Sequence, residues 1–323
     1  MKKYRLLLTV FLAFLAFELS AQRWTRERNH LILGMGATGF MGDLGGANDI
    51  GSQGMRDFNF GAVRPGGTLA YRYHILEYLA VKGNLAFGYV YGDDRLTEEP
   101  FRNNRNIHFR SPVFETSVHG EYYIWSQDRV GARYRRITRS MGWIGYRFKV
   151  YLFGGVGGFY FNPQAYFEAA SFTGEIPEGG LPADGWYNLR PLRTEGQGYF
   201  PTRDKYSRFG ITIPYGLGVT FSLSPDLSIG MEYGFRRTFT DYIDDVSTTY
   251  VDPKVFGEIF DDPHTVFLAR YFANPTINSL SSKVTDPGQQ RGNPHNNDAF
   301  MFLFVTLAYK FPEARIIGRI PGL

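Results

Sequence analysis

Long stretches of the chain alternate apolar residues with small or polar ones, a period of two that predicts β-strands with two different faces. In the clearest stretch, residues 209–223, every odd position from Ile211 to Leu223 is apolar and every even position from Thr212 to Ser222 is small or polar. Glycines interrupt the stretch at 149–161, so its faces stay unassigned. The eight predicted strands are 30–40, 68–74, 79–91, 113–124, 149–161, 209–223, 227–236 and 299–311.

Strand length and aromatic placement favour a membrane barrel over a soluble β-sandwich, which also alternates. Most predicted strands have ten or more residues, whereas soluble strands usually have about 5–6 and a tilted membrane strand needs about 9–11. Aromatic residues near the strand ends are typical of the girdles at a membrane surface. They are Tyr89, Tyr91, Tyr122, Tyr123 and Trp125.

The connections alternate in length, as they do in outer-membrane barrels with short periplasmic turns and long outside loops. The short ones are 74–79 and 224–226, and the long ones are 41–67, 92–110, 162–207 and 241–297; the exception is 125–148, which falls on the short-turn side. The sequence therefore predicts an all-β fold, an eight-stranded antiparallel up-and-down transmembrane β-barrel with long extracellular loops.

The first residues have the organisation of a secretory signal peptide. Lys2, Lys3 and Arg5 precede an apolar run at 6–17, and the small residues Ser20 and Ala21 follow it. This order of basic, apolar and small residues predicts cleavage after Ala21, and the run is too short to favour an uncleaved anchor. We therefore expect a signal peptide at 1–21, a barrel at 22–311 and a basic periplasmic tail at 312–323.

Composition narrows the possible functions. The 323 residues carry a formal net charge of only +4 and no cysteine. The weak positive charge makes nucleic acid an unexpected partner, and the lack of cysteine excludes disulfides and thiolate chemistry. Hydrophobic residues make up 43% of the chain, which is enough for a folded core.

Charged residues occur on the small face of the predicted strands, which in a barrel faces the lumen. An eight-stranded barrel is wide enough only for side chains, so we interpret these charges as a paired interior plug, with a conduction path as the alternative. The predicted interior network consists of Arg72, Lys82, Glu115, Glu121, Glu232, Arg236 and Lys310.

Two patterns that resemble binding or catalytic sites are better explained by strands. The G-x-G-x-x-G run from Gly34 to Gly39 is followed by no helical periodicity, so we read its glycines as the small face of a strand. Ser117, His119 and Glu121 share a face without an expected convergence on one oxygen. We expect no cofactor, no catalytic residue and no small-molecule substrate.

Acidic residues cluster after the seventh strand, at Asp241, Asp244, Asp245 and Asp252. Carboxylates can bind calcium, but aspartates are also common in turns, and the spacing does not match an EF-hand. We prefer the turn interpretation and predict no metal site.

The loop after Asp252 contains two predicted helix starts, each an aspartate followed by proline, at Asp252-Pro253 and Asp262-Pro263. Apolar stripes follow both. These helices either cover the barrel mouth or bind a partner.

An arginine cluster lies in the exceptional connection on the periplasmic side. It suits anionic lipid headgroups or an acidic protein surface, with a simply solvated loop as the alternative. Its members are Arg129, Arg133, Arg135, Arg136, Arg139 and Arg147, and Arg315 and Arg319 of the tail would lie on the same side.

Several short segments together resemble a Bacteroidetes outer-membrane β-barrel family that includes PorG of the type IX secretion system. The resemblance spans about residues 31–311 and is most specific at 240–250, whose marked residues are Asp241, Tyr242, Asp244, Asp245 and Tyr250. Weaker segments are 42–44, 121–123 and 162–163. The outside loops at 162–207 and 251–297 are longer than the family pattern.

The resemblance implies a non-enzymatic barrel in the outer membrane that anchors or contacts a protein-secretion assembly. Its partners would be outer-membrane lipid and the periplasmic ring, which consists of a lipoprotein and its periplasmic partner. The alternatives are a small outer-membrane channel and a barrel enzyme that acts on lipid.

Overall fold

A computed structural model describes residues 28–44, 60–126, 148–172, 174–224, 226–277, 280 and 282–311. The predicted signal peptide, the six arginines of the 125–148 connection and the basic tail lie outside the described residues. No helix within the described ranges is long and apolar enough to cross a membrane.

Eight long strands form a closed antiparallel sheet. Their order around the wall is β3 (Leu79–Asp93), β2 (Arg64–Leu76), β1 (Asn29–Met41), β10 (Ala299–Phe311), β9 (Leu227–Thr238), β8 (Phe209–Ser222), β5 (Phe148–Phe161) and β4 (His108–Ser126). Pairing between β3 and β4 completes the ring. A closed sheet pairs its backbone groups internally and leaves no free edge, as hydrocarbon requires. The predicted eight-stranded antiparallel barrel is confirmed.

Two short strands, β6 and β7, form a hairpin in the long loop between β5 and β8, and β6 touches β4 through the pairing of Arg110 with Gln164. The strands are β1 Asn29–Met41, β2 Arg64–Leu76, β3 Leu79–Asp93, β4 His108–Ser126, β5 Phe148–Phe161, β6 Gln164–Phe167, β7 Gly185–Asn188, β8 Phe209–Ser222, β9 Leu227–Thr238 and β10 Ala299–Phe311.

Two strands begin earlier than the alternation predicts. β4 begins at His108 and not at residue 113, and β2 begins at Arg64 and not at residue 68. The added segments contain Arg110, Pro112 and Pro65, which break the apolar pattern although they remain paired in the sheet. Backbone pairing above the hydrocarbon does not require apolar side chains. The alternation of apolar and polar residues therefore could not locate the first residues of these two strands.

The outward face of the wall is an apolar belt. Exposed aliphatic and aromatic side chains alternate with buried inward ones along the strands, as in Leu85 and Phe87 of β3 or Leu303 and Val305 of β10. On β5 the exposed face contains Leu152, Gly154, Val156 and Gly158, which assigns the faces of the strand that the sequence left open. Such an exposed belt is stable only against lipid.

One predicted girdle residue lies on the other side of the wall. Tyr123 is buried in the lumen, where its hydroxyl donates to Glu121. The pairing of β4 with β5 shifts by one residue between Tyr123 and Trp125, so Trp125 is exposed on the outside, where its ring stacks on Phe148. A bulge of this kind cannot be read from an alternation pattern.

The G-x-G-x-x-G run lies within β1, as the strand interpretation requires. A Cβ atom on Gly36 would overlap the carbonyl oxygen of Leu303 on β10. This glycine therefore permits the close approach of the two strands on which ring closure depends.

Four long connections, 41–64, 93–108, 161–209 and 238–299, leave the same end of the barrel, and their described residues include short helices. These are α1 Pro100–Arg105, α2 Leu189–Leu192, α3 Val255–Ile259 and α4 Pro263–Ala273, with 3-10 turns at Phe60–Ala62, Asp94–Leu96, Ala169–Ser171 and Ser282–Thr285.

Of the two predicted helix starts, one is confirmed and one is wrong. Asp262 caps α4, and its Oδ2 accepts a hydrogen bond of 2.8 Å from the Thr265 amide. The helix α3, in contrast, begins at Val255, because Asp252 accepts from the Lys254 amide and forms a turn before it.

Candidate functional site

The middle of the lumen is filled by paired charges from facing strands. Lys82 of β3 lies between two carboxylates, with Nζ 2.5 Å from Glu232 Oε2 and 3.3 Å from Glu121 Oε1. Arg72 Nη2 donates to Glu121 Oε1 at 3.0 Å. All four side chains are buried, so these contacts join four strands through the interior and not along the surface.

A second ion pair lies nearer the loop end. Arg236 of β9 places Nε 3.0 Å from Glu115 Oε2 of β4, and both side chains are buried. Lys310, which the sequence also placed in this network, is half-buried at the short-turn end, where its backbone amide donates to Asp226.

Tyrosine hydroxyls donate to the same carboxylates. Tyr151 donates to Glu232 Oε2 at 2.7 Å, and Tyr123 donates to Glu121 Oε2 at 3.2 Å. Buried carboxylates are costly to desolvate unless several partners surround them. Here Glu121 and Glu232 are each paired with at least one cation, and each accepts a hydrogen bond from a tyrosine hydroxyl.

Ser117 contacts both of its neighbours on the inward face of β4. Its Oγ lies 2.9 Å from His119 Nε2 and donates to Glu115 Oε1 at 2.7 Å. Ser117 and His119 therefore meet, which the sequence did not predict, but Glu121 does not join them: the acid at Ser117 is Glu115, and Glu121 binds Arg72 and Lys82.

This contact differs from a catalytic triad in one respect. In a triad, an acid orients the histidine through its second nitrogen. The Nδ1 atom of His119 is buried without a hydrogen-bond partner among the described residues, and the ring stacks on Phe153 with 5.0 Å between centroids. Ser117 also directs its hydroxyl proton toward Glu115, which is paired with Arg236, so His119 does not receive that proton as the histidine of a triad would.

Aromatic side chains fill the lumen above the charges. Phe159 packs on Phe300 with centroids 5.4 Å apart, and Phe302 stacks on Phe304 at 5.0 Å. Arg236 lies under this layer, with its guanidinium 4.6 Å from the Phe302 centroid. The lumen thus consists of an ionic layer and an apolar layer in series.

The outside loops meet over the apolar layer in what we call the crown, formed by residues 42–44, 94–107, 189–206 and 240–298. At its centre, Asp244 accepts from the amides of Leu44 and Val246, each at 3.0 Å. Asp245 accepts from the hydroxyls of Thr194 and Tyr206, each at 2.5 Å. One short segment therefore binds two other loops.

Buried arginines complete the crown. Arg291 donates to Glu195 Oε1 at 2.8 Å and to the Asp245 carbonyl at 2.7 Å. Arg105 forms a bidentate pair with Asp94 through bonds of 2.7 and 2.8 Å and also donates to the Asp43 carbonyl. Sequence reasoning missed these residues because their partners come from loops far apart in the chain.

The segment 240–250, on which the family resemblance chiefly rests, lies at this junction. Asp244, Asp245 and Tyr250 are buried, and Tyr242 stacks on Tyr206 with 4.7 Å between centroids. Asp252, which the sequence grouped with these acids, is exposed in a separate turn. The aspartates hold the crown through hydrogen bonds from backbone and hydroxyl groups.

The crown carboxyls of Asp241, Asp244 and Asp298 have raised pKa values, to which neighbouring acids contribute. Burial raises the pKa of Asp241 to about 8, and Asp43 and Glu195 act in the same direction while the Ser247 hydroxyl opposes them. Burial also raises the pKa of Asp298 and of Asp244, and neighbouring acids add to both shifts. Both carboxylate oxygens of Asp241 and Oδ1 of Asp298 are buried without a hydrogen-bond partner in the described part of the chain.

The same acids do not form a metal centre as they stand. Within the described ranges, no group of three or more histidine or acidic side chains is arranged to hold a metal ion. Protons are the simplest way to neutralise carboxyls that lack cations, which agrees with the raised pKa values.

The wall and its belt fix the class of the protein. A closed ring of long strands with an apolar exterior and a polar, filled interior is the form of bacterial outer-membrane barrels. The chain is an eight-stranded transmembrane β-barrel.

Several solved structures are similar to this chain at low sequence identity. No family model and no curated protein matches the chain. Neisserial surface protein A is 8% identical over 88% of this chain and 96% of its own, with a TM-score of 0.37. OprG of Pseudomonas aeruginosa is 10% identical over 89% and 98%, with a TM-score of 0.33. Ail of Yersinia pestis is 10% identical over 88% and 99%, with a TM-score of 0.36. Sequence identities and TM-scores this low do not support the transfer of a function from these proteins to this chain.

Proposed function

We propose that this barrel is a non-enzymatic anchor in the outer membrane that contacts a periplasmic protein-secretion assembly, in the manner of PorG in the type IX system. The observation that carries the proposal is the filled lumen, because a barrel closed by ion pairs, aromatic rings and a crown has only its ends and its outer wall with which to act. The resemblance at 240–250 supports the choice of secretion system.

The periplasmic contact is assigned to the arginine cluster of the 125–148 connection. Its ends, Ser126 and Phe148, lie at the same end of the wall as the tight turn between β2 and β3. Six arginines in a short connection suit an acidic surface on the ring lipoprotein or on its periplasmic partner.

Co-purification from native membranes tests this assignment. Replacing Arg133, Arg135 and Arg136 by glutamate should release the ring proteins from the tagged barrel, because like charges would then face each other. The matched control replaces three exposed lysines of the opposite end by glutamate, Lys205, Lys254 and Lys283, and should retain the ring. Equal recovery of the ring with both triple variants would contradict the proposal.

A lipid-acting enzyme is the second candidate, and the Ser117–His119 contact is the observation in its favour. It predicts hydrolysis of lipid esters that is lost in Ser117→Ala. Because Ser117 is buried and its hydroxyl is directed toward Glu115, we expect no hydrolysis by the unmodified barrel in lipid vesicles.

A further inference from the structure

A cavity of about 1050 Å³ lies on the outer flank of the barrel, near the loop end. Its floor comes from β2, β3 and β4, and its roof comes from the β6–β7 hairpin and the end of α4. Tyr89 and Tyr91 line it and share the outward face of β3 with the lipid-facing Leu85 and Phe87. The cavity is therefore outside the lumen, on the lipid side of the wall.

Strand geometry places this cavity directly above the apolar belt. Phe87 pairs with Phe114, and both are exposed. Four residues further along β4 comes Arg110, in register with Tyr91. At about 3.3 Å per residue and a tilt of about 40°, the arginine lies roughly 10 Å nearer the outside than the belt, which is the depth of lipid headgroups.

Two guanidinium groups in the cavity are held by neutral partners. Arg110 lies 3.8 Å from the Trp186 centroid and donates to Gln164 Oε1 at 3.1 Å. Arg64 lies 3.8 Å from the Tyr91 centroid and donates to the carbonyls of Gly61 and Val63. Neither has a carboxylate of a described residue within 4.0 Å.

The other charged side chains that line the cavity are Arg95, which is already paired, and Glu168. Arg95 is bound to Asp93 through three hydrogen bonds, two from Nε and one from Nη2. Glu168 is the acidic residue among the described lining residues. Two uncompensated cations against one carboxylate leave the cavity positive, and arginine is suited to phosphate because its planar fork donates to two oxygens.

We propose that this cavity binds the phosphate-bearing headgroup of a lipid in the surrounding outer leaflet. Arg64 and Arg110 flank Tyr91 and bind the phosphate from two sides, and the aromatic rings of Tyr89, Tyr166 and Trp186 pack on the rest of the headgroup. The acyl chains then continue along the belt at Phe87 and Phe114. This arrangement gives the barrel a bound annular lipid on one side only.

Native mass spectrometry of the barrel released from nanodiscs tests the proposal. The probe is phosphatidic acid, present as the minor component in phosphatidylcholine. We expect one retained phosphatidic acid for each barrel, and about tenfold weaker retention for Arg64→Gln or Arg110→Gln, which corresponds to the loss of one charge-assisted contact. Trp186→Leu should weaken retention too, since it removes the ring that holds Arg110 in place.

Arg237→Gln is the matched control, because Arg237 is an exposed arginine near the loop end of β9, outside the cavity and four strands from β3 around the ring. It should retain the lipid like the unmodified barrel. Equal retention by the control and the Arg64→Gln/Arg110→Gln double variant, each verified as folded by its gel mobility without heating, would overturn the proposal. Displacement of the lipid by inorganic phosphate at equal concentration would also overturn it, since the source would then be the free anion.

Discussion

Lys82 shows how one buried charge organises the lumen. Its ammonium group lies between Glu121 and Glu232, which reach it from β4 and β9 on either side. The sequence predicted these three residues on the inward face because the alternation is regular there. It could not predict which charges meet, because pairing across a lumen depends on the stagger of the closed ring.

Replacing Lys82 by methionine should destabilise the barrel by about 3–5 kcal/mol, because two carboxylates would remain buried and without their shared cation. Urea unfolding in lipid vesicles measures this change. Adding Glu232→Gln to Lys82→Met should restore part of the loss, and Lys205→Met, at an exposed lysine, should change nothing. A Lys82→Met barrel as stable as the unmodified one would show that the pairs do not hold the lumen.

Gly36 and Gly83 form a matched pair for testing ring closure. A Cβ on Gly36 would meet the backbone of β10, whereas a Cβ on Gly83 of β3 would have nothing within 4 Å. Gly36→Ala should therefore slow or prevent folding into vesicles, and Gly83→Ala should fold normally. Equal folding yields of the two variants, read from the gel mobility of unheated samples, would argue against a close approach of β1 and β10.

At the scale of elements, the strands were predictable where one face is apolar and unpredictable elsewhere. The alternation located all eight barrel strands, but it missed the first residues of β4, which pair in the sheet above the belt. The β6–β7 hairpin and the crown were missed too, because loop structure here depends on contacts such as that of Asn293 with Asp43, which lie far apart in sequence.

The crown should become less stable as pH rises. Burial raises the pKa of Asp241 from 3.8 to about 8 in the folded state and also raises the pKa of Asp244 and of Asp298, so the folded crown binds protons that the open state releases. Stability is therefore greatest below the ordinary pKa and is lost progressively up to the raised value. Hydrogen exchange of the 240–250 amides, corrected for intrinsic rate, should show more opening near pH 8 than near pH 5.

Substitution by asparagine isolates this effect. Asp241→Asn removes one of the titrating groups and should weaken the pH dependence, because asparagine stays neutral across the range. Asp252→Asn changes an exposed turn aspartate and should leave the dependence as it is. The same pH dependence in both variants would assign the effect to other groups.

At the scale of the whole molecule, three layers close the barrel one after another along its axis. The ion pairs close the middle of the barrel, the phenylalanines close the part above, and the crown covers the mouth. The outer wall carries a belt for lipid and, above it, the positive cavity on one flank. The proposed functions are accordingly placed on the ends and the flank of the barrel.

Conductance across a planar lipid bilayer tests the closed lumen most directly. The barrel described here should insert without producing stable current steps, and a Glu115→Ala/Arg236→Ala variant, which removes one ion pair below an intact aromatic layer, should also stay closed. Reproducible ion-selective steps from the unmodified barrel would contradict the account, because current through the lumen requires that the ionic and aromatic layers leave a continuous path for water.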